Sequence, residues 1–438
     1  MQDDLTAFAE SDAFSKIYQQ ACLLTPSCTP EAIRSSMEKD EALTCNAFGP
    51  CTYATLHREV AAAAYIGLLS QSLGIQVSSL QPLRDFEGWA SPAQRADALQ
   101  RATSRFEVMH ALGTHLLFIC SNCQPASSLV GEQEYADRAG ADLAELAERA
   151  SAWSPLDAAA RWHKLGLADP MEMMRRAFVE EQQQEARHRH SSYLTRPLSP
   201  PASRGSSFSF HADDVSPSAS TFNTTLPPSP DMTPSALPLL PNAARHIPSF
   251  QAIKIGYEAL SWGTHVDVWR AAWAVVCAAR HPNVGIVLDS FNTVAREWAD
   301  PCSPTGIAQP EHEADERLRA SIEAMEAELS ADKIFFLQIA DASRVLAPLR
   351  PSPNADEPRP ARMIWSRSHR LFPLEAERGA FLPIVDFVRA VHRLGYRGPW
   401  SVEVFCDSIH DEAEHVPTTH VDRAYRSLER LVDAVQAD

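Results

Sequence analysis

The stretch that most limits what this chain can fold into runs from Lys254 to Pro301, where two short apolar runs flank a helical pattern and each run ends on a carboxylate. Ala252 to Tyr257 leads into Glu258, and Val284 to Leu288 leads into Asp289, with Pro282 and Asn283 in front of it. Apolar runs this short, without polar alternation, predict parallel strands buried on both faces. Between them, Val266 to Ala279 carries Trp269, Trp273 and Val276 at helical spacing, and Thr264 is the expected N-cap. A strand, helix, strand unit of this kind belongs to a barrel or a doubly wound sheet. In both, the C-terminal ends of the strands face the active site.

Two further segments repeat the arrangement. Lys333 to Ile339 (KIFFLQI) carries Gln338, with Asp341 just beyond it, and Trp400 to Phe405 (WSVEVF) carries Glu403. The pattern therefore sends Glu258, Asp289, Gln338 and Glu403 towards one rim. All four are oxygen donors, the ligand type that hard divalent cations such as Mg²⁺ or Mn²⁺ require. Three carboxylates facing one another without a cation would repel and be driven to take up protons.

The segments YEALSWGTHVDVW, HPNVGIVLDSFN, KIFFLQIADA, ARMIWSRSHRLFP, ERGAFLPI and WSVEVF occur in this order between Tyr257 and Phe405. Together they resemble the fungal-type 3-dehydroshikimate dehydratases of the xylose isomerase-like TIM-barrel superfamily, and the likeness extends weakly back through LGIQVSSLQPLRDFEGW. The resemblance implies a (β/α)8-type barrel and a metal centre of Glu258, Asp289, Gln338 and Glu403 holding Mg²⁺, Mn²⁺ or Co²⁺. It also implies conversion of 3-dehydroshikimate to protocatechuate in quinate catabolism. Arg84, Ser366 and Arg370 match positions expected to contact the substrate, and Arg367 is a further candidate; arginine forks suit its carboxylate. Some bacterial relatives place histidines after the metal Glu and the metal Asp. Leu260 and Asn292 stand there in this chain, so Asn292 is expected to hydrogen-bond the substrate. His369 becomes the candidate base, with His265 the other available imidazole. Other isomerases or dehydratases on the same metal barrel, and an inactive homologue serving as an interaction protein, remain alternatives.

Along the chain, Leu56 to Leu73, Ser91 to Leu112, Glu132 to Ala152, Glu311 to Leu329, Gly379 to Leu394 and Thr418 to Ala437 read as helices. Strands are expected to start near Ile75, His115, Ala252, Val284, Lys333, Arg362 and Trp400. That is one fewer than a barrel needs, and the first strand is the one absent. Cys22 to Cys51 reads as a loop-rich connection. Residues 1–152 and 250–438 form the two parts of the barrel, and 153–249 forms an insertion between its third and fourth strands. Within the insertion, Ser191 to Pro248 is dense in Ser and Pro and is expected to be disordered. Ser199, Ser216, Ser229 and Thr233 each precede a proline there.

Composition excludes other classes. A formal charge of −17 without a long basic run argues against nucleic acid, and no apolar stretch long enough for a membrane span occurs. Nine cysteines at irregular spacing suit a reducing, cytoplasmic setting. Cys120 and Cys123 form a lone C-x-x-C and read as packed thiols. The expected partner is a small molecule, and oligomeric state is not legible.

Overall fold

The computed structural model describes residues 2–24, 43–46, 49–51, 53–194, 252–354 and 357–437. A short antiparallel hairpin, β1 (Leu43–Asn46) with β2 (Gly49–Cys51), precedes the main architecture. The main sheet contains β3 (Leu80–Leu83), β4 (Leu116–Cys120), β5 (Lys254–Glu258), β6 (Val284–Asp289), β7 (Ile334–Ile339) and β10 (Trp400–Val402). Its order is β10-β7-β6-β5-β4-β3 and every pairing is parallel. A second antiparallel pair, β8 (Asp341–Ala342) with β9 (Arg370–Leu371), lies outside it. Helices intervene between the strands, as parallel crossovers require. Pro92–Leu112 shows why they begin and end where they do. Ser91 caps it by accepting from Gln94 N, Pro92 occupies the first turn, and Gly113 closes it at φ 78°.

The sheet is curled rather than flat. Gln81 on β3 and Gln338 on β7 are four strand positions apart, which in a flat sheet is about 19 Å. Their side chains meet at 3.2 Å. Phe118 on β4 and Phe336 on β7 likewise pack edge to face across the concave side, with ring centroids 4.9 Å apart. Two-residue periodicity then sorts the strand residues. Leu117, Ile119, Ile255, Tyr257, Ile286, Leu288, Leu337 and Ile339 face the helices and join the large core. Leu116, Phe118, Val287 and Phe336 form a separate apolar layer on the concave side. Gly256 and Gly285 make room for this curvature. A Cβ on Gly256 would lie 2.6 Å from Val287 Cγ2, and one on Gly285 would lie 2.6 Å from the Lys333 carbonyl oxygen. Among the described residues this is a TIM-barrel-type sheet of six strands, with β3 and β10 at its edges.

Several expectations need correction. The run beginning at Arg362 is not a strand but the helix Ala361–His369, with Pro360 before it and Arg362 Nε donating to the Ala295 carbonyl at 2.9 Å. Four apolar or long residues in a row fit either structure, and here the preceding proline and the contact to Ala295 decide. The strand expected from Ile75 forms only at Leu80–Leu83, and Ile75 itself is exposed. The helix after β5 begins at Trp269, with Val268 rather than Thr264 at the capping position. Thr264 instead ties two loops, its hydroxyl donating to the Gln124 carbonyl at 2.7 Å. The helix expected from Gly379 begins at Ile384.

The compact unit bearing the sheet comprises residues 1–179 and 251–438, so it continues well past residue 153. Helix Pro155–Lys164 buries Trp162, whose indole N–H donates to Glu107 Oε1, and Met173 and Met174 of helix Pro170–Leu194 are fully buried. His57 bridges the same region, with Tyr18 Oη 2.8 Å from Nδ1 and the Ala168 carbonyl 2.7 Å from Nε2. Burial holds the His57 pKa down at about 4, so the ring is neutral. Residues 180–250 cluster as a separate unit, in which the helix runs on to Leu194. The Ser/Pro-rich stretch from 195 to 251, with its four Ser-Pro and Thr-Pro sites, and most of the Cys22 to Cys51 connection lie outside the described residues. Trp162→Ala is expected to lower unfolding free energy by about 3–5 kcal/mol in urea titrations. Leu156→Ala, at a side chain 79 % exposed on the same helix, should change it little. Equal effects would show that this segment does not pack as described.

Candidate metal centre

The concave layer that ends in Phe118, Val287 and Phe336 continues one step further along the strands into polar residues. Two positions on from these and from Gly256 stand Cys120, Asp289, Gln338 and Glu258, all on the concave side and all buried. Glu403 joins them from just beyond β10, its backbone N–H donating to the Ile339 carbonyl at 3.0 Å. Glu258, Asp289 and Glu403 each offer a carboxylate oxygen, and these oxygens lie within 4.8 Å of one another. In a flat sheet β5 and β10 would stand about 14 Å apart, so the curl is what gathers them.

Each carboxylate is held from outside. Asp289 caps helix Ser290–Glu297, its Oδ1 accepting from Phe291 N at 2.7 Å and Asn292 N at 3.3 Å. The Asn292 amide braces two of them, with Nδ2 donating to Glu258 Oε1 and to Asp289 Oδ2, each at 3.0 Å. Its carbonyl oxygen accepts from Ser261 N at 3.1 Å. Cys120 donates to Glu258 Oε2 at 3.3 Å. Arg370 supplies the positive charge, its Nη1 lying 2.6 Å from Asp289 Oδ2 and 2.8 Å from Glu403 Oε2. Phe291 and Phe405 cover the guanidinium, with ring centroids 4.4 and 5.6 Å away, and Ser366 Oγ accepts from its Nε at 3.0 Å. Burial, then the charges of Glu403 and Asp289, push the Glu258 pKa well above the usual carboxylate range. Burial also raises the Glu403 pKa, against the pull of Arg370.

The residue set fits a hard dication. Gln338 Oε1 is buried and has no hydrogen-bond partner, while its Nε2 donates to Gln81. An orphaned carbonyl oxygen beside three crowded carboxylates is a donor set that lacks its acceptor, and it is oxygen throughout.

The other expected residues surround this group. Arg367 stacks on Phe405 at 4.8 Å. Burial, followed by the nearby Arg84 and Arg370 cations, lowers the Arg367 pKa, so the three guanidinium groups share one neighbourhood. His369 ends helix Ala361–His369 with Nδ1 2.6 Å from Ser368 Oγ. His265 lies elsewhere, its ring 4.8 Å from Tyr135 and its Nε2 buried without a partner. Asp341 is not part of the group. It clamps a loop, accepting from Leu382 N at 2.9 Å and Phe381 N at 3.1 Å. Cys120 and Cys123 part company, since Cys123 donates to the Ser121 carbonyl instead. Sequence reasoning missed Cys120 as a partner of Glu258 and missed Gln81 and Ser261. The two-residue alternation from Phe118 to Cys120 was the available signal for the first.

A parallel sheet with its polar cluster at the strands' C-terminal ends defines a barrel-type site. Residues 238–431 match the family described as xylose isomerase-like TIM barrel. Over 182 residues the chain is 40% identical to a 3-dehydroshikimate dehydratase of Neurospora crassa, covering 41% of this chain and 50% of that protein. A Pseudomonas aeruginosa protein of the same name is 27% identical over 340 residues, 77% of this chain and 31% of the other. The chain thus spans half or less of the length of these curated relatives. Among solved structures, a xylose isomerase-like TIM barrel/4-hydroxyphenylpyruvate dioxygenase fusion protein aligns at TM-score 0.47 and 23% identity, over 85% of this chain and 36% of that one.

A second buried carboxylate latches the loops around the site. Glu87 Oε1 accepts from Asn122 N at 2.8 Å, Tyr257 Oη at 2.8 Å and Tyr135 Oη at 3.0 Å, joining the segments after β3 and β4 to β5. Burial raises its pKa to about 7. The folded protein therefore keeps this proton through a range in which the unfolded chain has lost it. The contribution to stability is full below pH ~4.5, declines as pH rises and is lost by about pH 7. The wild-type advantage over Glu87→Gln is expected to fall by roughly 3 kcal/mol across that window in urea titrations. Parallel pH profiles for the two proteins would contradict this.

Proposed function

We propose that this chain is a cytoplasmic, divalent-metal-dependent 3-dehydroshikimate dehydratase that forms protocatechuate and water. The observation that carries this is the convergence of Glu258, Asp289 and Glu403 beside the orphaned Gln338 oxygen, with a cluster of arginines alongside. The names of the curated relatives supply the substrate. Thiols at Cys120, Cys123, Cys277, Cys302 and Cys406 that form no disulfide suit a reducing compartment. No helix among the described residues is long and apolar enough to cross a membrane.

Glu258, Asp289, Gln338 and Glu403 are the residues that would hold Mg²⁺, Mn²⁺ or Co²⁺. Such an ion acts as a Lewis acid that stabilises negative charge developing on a ketone oxygen. The rest of the work falls to the chain itself. The reaction takes a proton from the carbon alpha to the ketone and expels the neighbouring hydroxyl, and enolisation then yields the aromatic ring. Arg84, Arg367 and Arg370 bind and orient the substrate carboxylate through charge-assisted hydrogen bonds. Ser366 acts through Arg370, whose Nε it holds. His369, with its ring steadied by Ser368, is the proposed base. Asn292 braces Glu258 and Asp289, so its part is to fix the acidic group rather than to touch the substrate.

Protocatechuate release from 3-dehydroshikimate, followed by its absorbance, tests the reading. Activity should require a divalent cation, vanish with excess chelator, and fall at least 10³-fold in Glu258→Ala and in Glu403→Ala. Turnover at the wild-type rate in either variant would overturn the ligand assignment. A preference for ketoses over 3-dehydroshikimate in a substrate panel would overturn the substrate.

A further inference from the structure

Gln338 differs chemically from the other three proposed ligands. A carboxylate presents an oxygen to a cation whichever way it turns. A carboxamide has one ligating end and one end that carries two N–H donors and no available lone pair. The two orientations have nearly the same shape, so close packing alone does not choose between them. A hydrogen bond must.

The structure supplies one. Gln81 stands on β3, an edge strand of the sheet, four strand positions from β7 and 257 residues earlier in sequence. The curl brings its Oε1 within 3.2 Å of Gln338 Nε2, which donates to it. The other end of the same amide, Oε1, is then left buried and unpartnered. Gln338 is paired in register with Asp289, so this oxygen belongs to the same concave layer as the carboxylates. A buried amide oxygen with no partner is costly, and a cation would satisfy it.

We propose that Gln81 is a positioning residue of the metal centre: by accepting from Gln338 Nε2 it fixes which end of that amide is left for the cation. The inference rests on the metal reading above. It makes the barrel's curl a requirement for ligation, because the residue that orients one ligand comes from the far side of the sheet.

The test is a thermodynamic cycle read on metal binding alone, with the full chain, no substrate, and Mn²⁺ titrated by the electron paramagnetic resonance signal of the free ion. Gln81→Met keeps length and removes the amide oxygen. It should weaken Mn²⁺ binding about tenfold in the native background, the effect typical of losing an outer partner of a ligand. In a Gln338→Glu background, where either oxygen can ligate, the same substitution should change binding less than about twofold. Gln81→Asn, which keeps a polar side chain but falls a methylene short, provides the same reading should the Met variant fail to fold. Equal weakening in both backgrounds would show a merely structural role, and no weakening in the native background would show no role; either overturns the inference. Glu258→Ala run alongside separates the two levels. If it binds Mn²⁺ as the wild type does, the metal assignment itself falls and this inference with it. If it loses binding while Gln81→Met does not, only the role of Gln81 falls.

Discussion

Three carboxylates gathered in the interior must be neutralised, and the arrangement of this site follows from how that is done. With their oxygens no more than 4.8 Å apart, each charged pair would repel by about 3–4 kcal/mol at an effective dielectric constant near 20. The protein answers with one guanidinium, Arg370, placed on Asp289 and Glu403, and with a strong tendency of Glu258 to keep a proton. The Asn292 amide adds donors to Glu258 and Asp289 but no charge. This balance stays locally short of positive charge by two units if all three are ionised, and by one if Glu258 keeps its proton. A divalent ion would resolve it and would remove the need for Arg370 to sit on Asp289 and Glu403.

The geometry depends on the sheet. Short parallel strands with alternating faces place apolar residues outward under the helices and a thin apolar layer inward, and the same alternation carried one step further yields the acidic rim. Gly256 and Gly285 permit the curvature, and the curvature converts neighbours by strand order into neighbours in space. Six strands suffice to bring β3, β5, β6, β7 and β10 to one centre.

The acidic rim was legible because it depends on local pattern: Glu258, Asp289, Gln338 and Glu403 follow apolar runs whose length and lack of alternation mark buried strands. What escaped depends on closure in three dimensions. Gln81 meets Gln338 only because four strand spacings fold into a hydrogen bond, and nothing within either segment announces the other. The Asn292 amide likewise joins Glu258 and Asp289 across two strands, a bracing that neither segment shows by itself. The run at Arg362 misled through composition, since Met363, Ile364 and Trp365 suit a strand as well as a helix. The boundary at residue 153 was drawn where the helical stripe fades: helix Pro155–Lys164 buries just Ala158 and Trp162, too sparse a stripe to show in sequence.

The most direct measurement of the central claim is a crystal grown with Mn²⁺ and recorded at a wavelength where manganese scatters anomalously. The expected result is one strong anomalous peak within ligand distance of oxygens from Glu258, Asp289, Gln338 and Glu403, with the Arg370 guanidinium displaced from Asp289. A peak elsewhere, or no peak with Arg370 still seated on Asp289 and Glu403 at saturating Mn²⁺, would contradict the account.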